Sequence, residues 1–280
     1  MSVQFSPVVD AQPRNIPGFN KLMFVDLVSL GVHASPLAVL DDFHVAELPF
    51  SAHPHAGFAA VTYVFEDSIG AVRSRTSTGA DIVMGAGGIV WTQAGRGVIH
   101  EEIPAQRGQE LHGLQLFVNL TSQHKSDTPR IMALEGKDVP AWRSADGDVV
   151  RVVVGTFGDV SSPLQPDEPF TMLDVTLQAR IFVPLTAAQN TVFYVLDGTV
   201  TIGAEGEARQ VRGGQALALT QGTATVSVEA TSPAHLLVLA GLAIDEPIVE
   251  EGPFIMNDRS QMQAAIARFR SGEMGTLTPS

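Results

Sequence analysis

Glycine and proline interrupt this chain so often that most stretches between them are long enough only for a short strand. The 280 residues hold 26 glycines and 17 prolines. Between them lie segments rich in Val, Thr and aromatic residues that alternate with period two: Ala60 to Phe65, Ile89 to Thr92, Leu114 to Leu120 and Val149 to Val154. Such alternation is the signature of strands. In the third segment Leu114, Leu116, Val118 and Leu120 share one face, and Gln115, Phe117 and Asn119 share the other. Many short strands joined by Gly-rich turns predict an all-β sandwich or barrel. One helix is expected, near the C-terminal end. Asp258 serves as its N-cap with Gln261 three residues on. Met262, Ala265, Ile266 and Phe269 form its packing stripe, and Gly272 ends it.

The length predicts about two domains, and the sequence repeats itself. Val61-Thr-Tyr-Val-Phe-Glu-Asp67 leads to Gly79 and then Gly87-Gly88; Val192-Phe-Tyr-Val-Leu-Asp-Gly198 leads to Gly206 and then Gly213-Gly214. Each copy reads as a Tyr-Val strand, a turn, a second strand and a Gly-Gly turn, which suggests a duplicated β module. The join falls in the polar, turn-rich stretch between about Thr121 and Pro169. Residues 1–135 are therefore expected to form one barrel and residues 136–280 a second, together with the tail and helix.

There is no cysteine, which excludes disulfides, thiolate metal sites and a cysteine nucleophile. A transition metal would need imidazole and carboxylate ligands. The net charge of −13 argues against direct binding of nucleic acid or anionic membrane. The longest apolar stretch, near Leu236–Ile244, is well short of the roughly 20 residues that span a bilayer. The N-terminal residues show no basic region leading into an apolar one, so the expected location is cytoplasmic.

Two short clusters carry chemistry: His53-Pro54-His55 and His100-Glu101-Glu102. On strands, residues i and i+2 share a face. His53 and His55 then project together, as do His100 and Glu102, while Pro54 and Glu101 point away. Two neighbouring strands would bring three imidazoles and a carboxylate to one point. That set suits Fe(II), Mn(II), Ni(II), Co(II) or Zn(II). Pro54 places its strand at an edge, a bulge or a mouth. On spacing alone, ordinary surface or core histidines stay an alternative. Phe58, Tyr63, Trp91 and Phe117 are candidate walls of the site, or plain core. Gln115 and His112 are candidates for orienting a ligand. Ala94-Gly-Arg-Gly97 would let the backbone pass close to the centre.

These residues give the sequence a family resemblance. His53-Pro-His-Ala-Gly-Phe58, Val61-Thr-Tyr-Val64, Ala94-Gly-Arg-Gly-Val-Ile-His-Glu-Glu102 and His112-Gly-Leu-Gln-Leu-Phe-Val-Asn-Leu120 resemble the pirin family of the cupin superfamily. Pro36-Leu-Ala-Val-Leu-Asp-Asp-Phe43 looks like its N-terminal signature, and Gly252-Pro-Phe-Ile-Met-Asn257 like its C-terminal one. The resemblance covers nearly the whole chain. It implies two cupin (jelly-roll) β-barrels in tandem, with one metal, usually iron, held in the first by His53, His55, His100 and Glu102. The second copy lacks the His-x-His pair, and His235 is its only imidazole, so it is expected to bind no metal and to serve packing or assembly. Glu66 falls too far along its strand to be a ligand. The chain departs from the family at Ala56 and at Ala59 or Ala60, where members often carry Arg and Glu.

Several pirins resemble quercetin 2,3-dioxygenases. The resemblance therefore implies an enzyme that opens a flavonol-like enolised ketone with O₂, with Glu102 as ligand and as the base that takes the hydroxyl proton. The alternative it implies is a metal-binding regulatory protein whose partner is a transcription factor or a metabolic enzyme. Fold alone does not choose between them.

Overall fold

The alternating segments are strands. Phe58–Val64, Ile89–Gln93, Leu111–Asn119 and Val149–Val154 overlap the four segments read from the sequence, with ends that differ by up to three residues. The computed structural model describes residues 2–47, 51–220, 222 and 224–278. All seven residues of Phe58–Val64 and all five of Ile89–Gln93 are buried. Both faces of these strands are therefore covered, each large apolar side chain contributing about 1.5–3 kcal/mol. Burial of both faces explains why the strands read as nearly continuous apolar runs.

The chain divides into two units. One comprises residues 13–23, 38–138 and 244–280; the other comprises 1–12, 24–37 and 139–243. The main parting at 138/139 lies near the boundary expected at 135/136. The ends of the chain differ from the expectation. The tail and helix group with the first barrel, and the N-terminal residues group with the second. Backbone pairing accounts for both. Ala56 bridges Phe254 in parallel, and Val9–Asp10 pairs antiparallel with Ala216 and Gln215.

In the first unit a seven-stranded sheet runs in the order Arg130–Leu134, Ile89–Gln93, Phe58–Val64, Leu111–Asn119, Leu37–Val45, Phe19–Phe24 and Gln12–Pro13. A four-stranded sheet runs in the order His53–His55, Val98–Pro104, Val72–Thr76 and Asp81–Met84. The second unit has the same plan. Its seven-stranded sheet places Gln215–Leu219, Gln189–Asp197, Ala234–Leu242 and Phe170–Leu177 side by side. Its four-stranded sheet runs Arg180–Pro184, Thr225–Ala230, Thr199–Ala204 and Glu207–Arg212. The repeat read from the two Tyr-Val phrases is thus a repeat of topology.

The two copies differ in what fills them. Arg180–Pro184 occupies the sheet position that His53–His55 holds in the first copy. Its inward residues Ile181 and Val183 pair with Val228 and Val226, and all four are buried. They belong to a large apolar core with Leu173, Phe193 and Leu236. His235 pairs instead with Asp174, at 2.5 Å.

The expected helix spans Arg259–Arg270. Asp258 caps it, accepting from the Gln261 amide at 2.8 Å, and the Gln261 side chain accepts from the Asn257 amide at 3.0 Å. Met262 and Ala265 are buried against Ala56, Phe254 and Met274. Phe269, expected in the stripe, is 40% exposed and meets Phe254 edge-on. A four-residue helix at Leu27–Leu30, capped by Asp26, was not anticipated. Among the described residues no helix is long and apolar enough to cross a membrane.

Candidate metal centre

The strand carrying His53 and His55 is an edge strand of its sheet, which is where Pro54 can sit without breaking a ladder. Its neighbour Val98–Pro104 pairs with it in register, His100 opposite His53 and Val98 opposite His55. Alternation then sends all three imidazoles to one side. Their ring centroids lie 4.6 to 4.7 Å apart in every pair. Each ring offers a nitrogen within 4.8 Å of the other two.

The proton positions follow from the partners. His53 Nδ1 lies 2.9 Å from the Ser51 carbonyl oxygen, which can only accept, so Nδ1 carries the hydrogen. The Nε2 of a neutral His53 is then a bare lone pair, facing His100 Nε2 at 3.2 Å. Burial, reinforced by the charge His53 would carry, pushes the His55 imidazole down to about 3. Burial and both neighbouring histidines hold His100 well below the usual range. His55 and His100 are therefore held as neutral imidazoles, the form that binds a metal.

Glu102 follows His100 by two residues on the same strand. Thr62 Oγ1 donates to its Oε2 at 2.6 Å. Its Oε1 is buried without a hydrogen-bond partner. Burial raises its carboxyl to about 7, although the Thr62 and Ser74 hydroxyls pull the other way. The close set of nitrogens contains His53, His55 and His100; the Glu102 carboxylate lies outside it. Of the four residues selected from the sequence, the structure thus draws three together and holds the fourth beside them on Thr62. This donor set fits a divalent transition metal: convergent imidazole nitrogens, and a buried carboxylate oxygen without a hydrogen-bond partner.

These groups open on a cavity of about 450 Å³. Leu22, Phe43, Val45, Val72, Ile103 and Leu111 give it apolar walls, and Thr62, Gln115, Asp41 and Arg14 also line it. Of the expected aromatic walls, Phe117 lines the cavity, and Phe58 packs on His55 with centroids 4.9 Å apart. Tyr63 and Trp91 are buried on the other face of their strands and are core. Gln115 supports the site indirectly: Thr62 lies 3.2 Å from its Oε1.

His112 does not orient a ligand. It lies on the opposite face of Leu111–Asn119, with Nδ1 2.7 Å from Asp67 and Nε2 3.2 Å from Asp42. Burial alone would lower its pKa, but the two carboxylates overcome that and raise it. His44 stacks on it at 4.0 Å with the planes 13° apart, and with Asp42 the two imidazoles form a separate polar cluster on that face. The glycines of residues 94–97 serve the C-terminal tail and a neighbouring loop, not the centre. A Cβ on Gly97 would meet the Met274 side chain, and one on Gly95 the Asp127 carbonyl.

The alanine departures are packing sites. Ala56 is buried among Phe254, Met256 and Met262, and Ala60 among Phe58, Ile255 and Phe117. Gly57 beside them has φ 86°, and a Cβ there would come 1.8 Å from the Ile255 oxygen. Only glycine lets the tail approach this closely. Sequence reasoning missed Lys125. Its buried ammonium donates to the Gly57 and Ile255 carbonyls and to Asn119 Oδ1, at 2.7, 2.9 and 2.5 Å. It also missed Thr62, which strict alternation with Phe58 and Ala60 would have placed on the site face.

Known proteins share this architecture. The pirin family profile matches residues 13–118, and the profile of the pirin C-terminal cupin domain matches residues 172–275. A Pseudomonas aeruginosa protein provisionally named quercetin 2,3-dioxygenase is 34% identical over 258 residues, covering 87% of this chain and 88% of its own. Human pirin is 32% identical over 230 residues, covering 81% and 78%. The crystal structure of an Acinetobacter baumannii quercetin 2,3-dioxygenase superposes with TM-score 0.86 at 26% identity, over 99% of this chain and 100% of that one. A bacterial pirin from Escherichia coli in complex with nickel(II) shares the fold, with TM-score 0.65 at 19% identity over 86% and 100%.

Proposed function

The chain belongs to the pirin family, and on that premise we propose that it is a metal-dependent dioxygenase acting on a flavonol-like enolised ketone. The observation that carries this reading is three convergent imidazoles, with one carboxyl beside them, on the wall of a single largely apolar cavity. His53, His55 and His100 are the proposed ligands, with Glu102 as the fourth. Fe(II) is the proposed metal, and Mn, Ni, Co and Zn suit the same donors. When held by these residues, such an ion would supply Lewis acidity toward an enolised ketone and O₂.

The remaining chemistry belongs to the chain. Glu102 is the proposed acceptor of the enol proton, because it lines the cavity and its Oε1 has no hydrogen-bond partner of its own. Thr62 fixes which oxygen is held and leaves Oε1 directed elsewhere. Phe117, Val72 and Ile103 exclude water from the reacting ring. A cytoplasmic location is part of the same reading.

The direct test is anaerobic addition of quercetin to iron-loaded protein. The expected result is a red shift of the flavonol absorption, which bleaches with O₂ uptake when air is admitted. Absence of both would favour the second reading, a metal-dependent regulatory protein. That reading draws on the net charge of −13, which suits a protein partner better than nucleic acid.

A further inference from the structure

The same cavity carries a second polar group that the metal chemistry does not use. Asp41 lines it, with the Arg14 guanidinium near enough to draw its charge. Asp41 lies on Leu37–Val45, the strand next to Leu111–Asn119 in the sheet. Two contacts set their register. The Phe43 ring covers Gly113, where a Cβ would come 2.6 Å from Phe43 Cζ, and His44 stacks on His112. Residue numbers rise along one strand as they fall along the other, so the strands are antiparallel and Asp41 falls opposite Gln115. Gln115 is opposite Thr62 in turn, and Thr62 holds Glu102.

Asp41, Gln115 and Thr62 therefore make a polar row across three adjacent strands. With strands about 4.8 Å apart, Asp41 stands about 10 Å across the sheet from Thr62. Its surroundings on this wall are apolar: Val39, Phe43 and Leu111. Burial raises the Asp41 carboxyl to about 6 against the pull of Arg14, and no hydrogen bond takes part in the shift. A part-buried carboxylate on this wall offers lone pairs that a hydroxyl bound in the cavity can meet.

We propose that Asp41 is a specificity-determining hydrogen-bond acceptor, which selects aromatic enols carrying a hydroxyl group at the end remote from the imidazoles. The proposal rests on the function proposed above and narrows its substrate class. An enolised ketone with bare outer rings fills the apolar space but offers the carboxylate no hydroxyl. A hydroxylated one satisfies both ends of the cavity. No covalent step is assigned to Asp41.

The test is anaerobic titration of the metal-loaded full chain with quercetin and with unsubstituted flavonol, following the absorption of the bound ligand. Wild type is expected to bind quercetin at least about tenfold more tightly, as for a hydrogen bond to a charged acceptor. Asp41→Leu is expected to remove that preference by weakening quercetin alone, with unsubstituted flavonol held within about twofold. Asp41→Asn keeps an acceptor without the charge and should retain part of the preference. It carries the test if the leucine variant does not fold. Equal affinities in wild type, or equal losses for both flavonols in the variants, would overturn this proposal and leave the proposed function standing. If neither flavonol binds the wild-type protein, the proposed function falls and this inference falls with it.

Discussion

Thr62 and Glu102 come from different sheets of the first barrel, and the hydroxyl of one meets the carboxylate of the other at 2.6 Å. The contact joins the two halves of the site. It fixes the orientation of a carboxyl whose other oxygen, Oε1, is buried without a hydrogen-bond partner. Thr62→Val keeps the shape and removes the donor. We expect kcat/KM for flavonol oxidation to fall about tenfold, the value of one hydrogen bond to a charged group, with metal content unchanged. Thr62→Ser should restore most of the rate. A valine variant with wild-type kinetics would remove Thr62 from the site's working parts.

Lys125 ties three pieces of the first unit together: the turn after His55, the Leu111–Asn119 strand and the C-terminal tail. Lys125→Met leaves two carbonyls and an amide oxygen buried without this donor. Stability should drop by about 2–4 kcal/mol, measured by urea unfolding. Amide exchange should accelerate first around Ile255 and Gly57. A loss below about 0.5 kcal/mol would show that the tail is held by its apolar contacts alone.

Asp148 supplies the acid sensitivity of the second unit. It is fully buried. Its Oδ1 accepts from the Gln178 and Ala179 amides at 2.7 and 2.9 Å, and its Oδ2 from Ser144 at 2.8 Å. Burial alone would raise its pKa, but these donors outweigh it and the folded-state value lies below the ordinary 3.8. A depressed folded pKa means that the stabilisation is complete above the unfolded value, near 4. It is lost as pH falls through the folded value. Asp148→Asn should therefore lower stability by about 1–3 kcal/mol at pH 7 and lose less than wild type on acidification from pH 5 to 2. Parallel pH–stability curves for the two proteins would contradict this.

Much of this site is legible in the sequence. The i, i+2 rule selected His53, His55 and His100 because an edge strand and its neighbour have no freedom to point alternate residues elsewhere. It placed Glu102 on the same side but could not show that Thr62 would hold its carboxylate apart from the imidazoles. Tyr63 and Trp91 were undecidable by periodicity, because both faces of their strands are buried and apolar. The grouping of the tail with the first barrel was also hidden. It depends on Gly57 accepting Ile255 at close range, a contact across nearly 200 residues of sequence. His112 was misplaced for a simpler reason. It shares a strand with Gln115 but lies three positions away, and odd separations change face.

The central claim is that His53, His55 and His100 together hold one metal ion. Metal content by mass spectrometry on purified wild type, His55→Ala, His100→Ala and His235→Ala tests it most directly. The account predicts about one transition metal per chain in wild type and in His235→Ala, and a loss of most of it in the other two. Equal metal in His100→Ala and wild type, with both proteins folded, would contradict it.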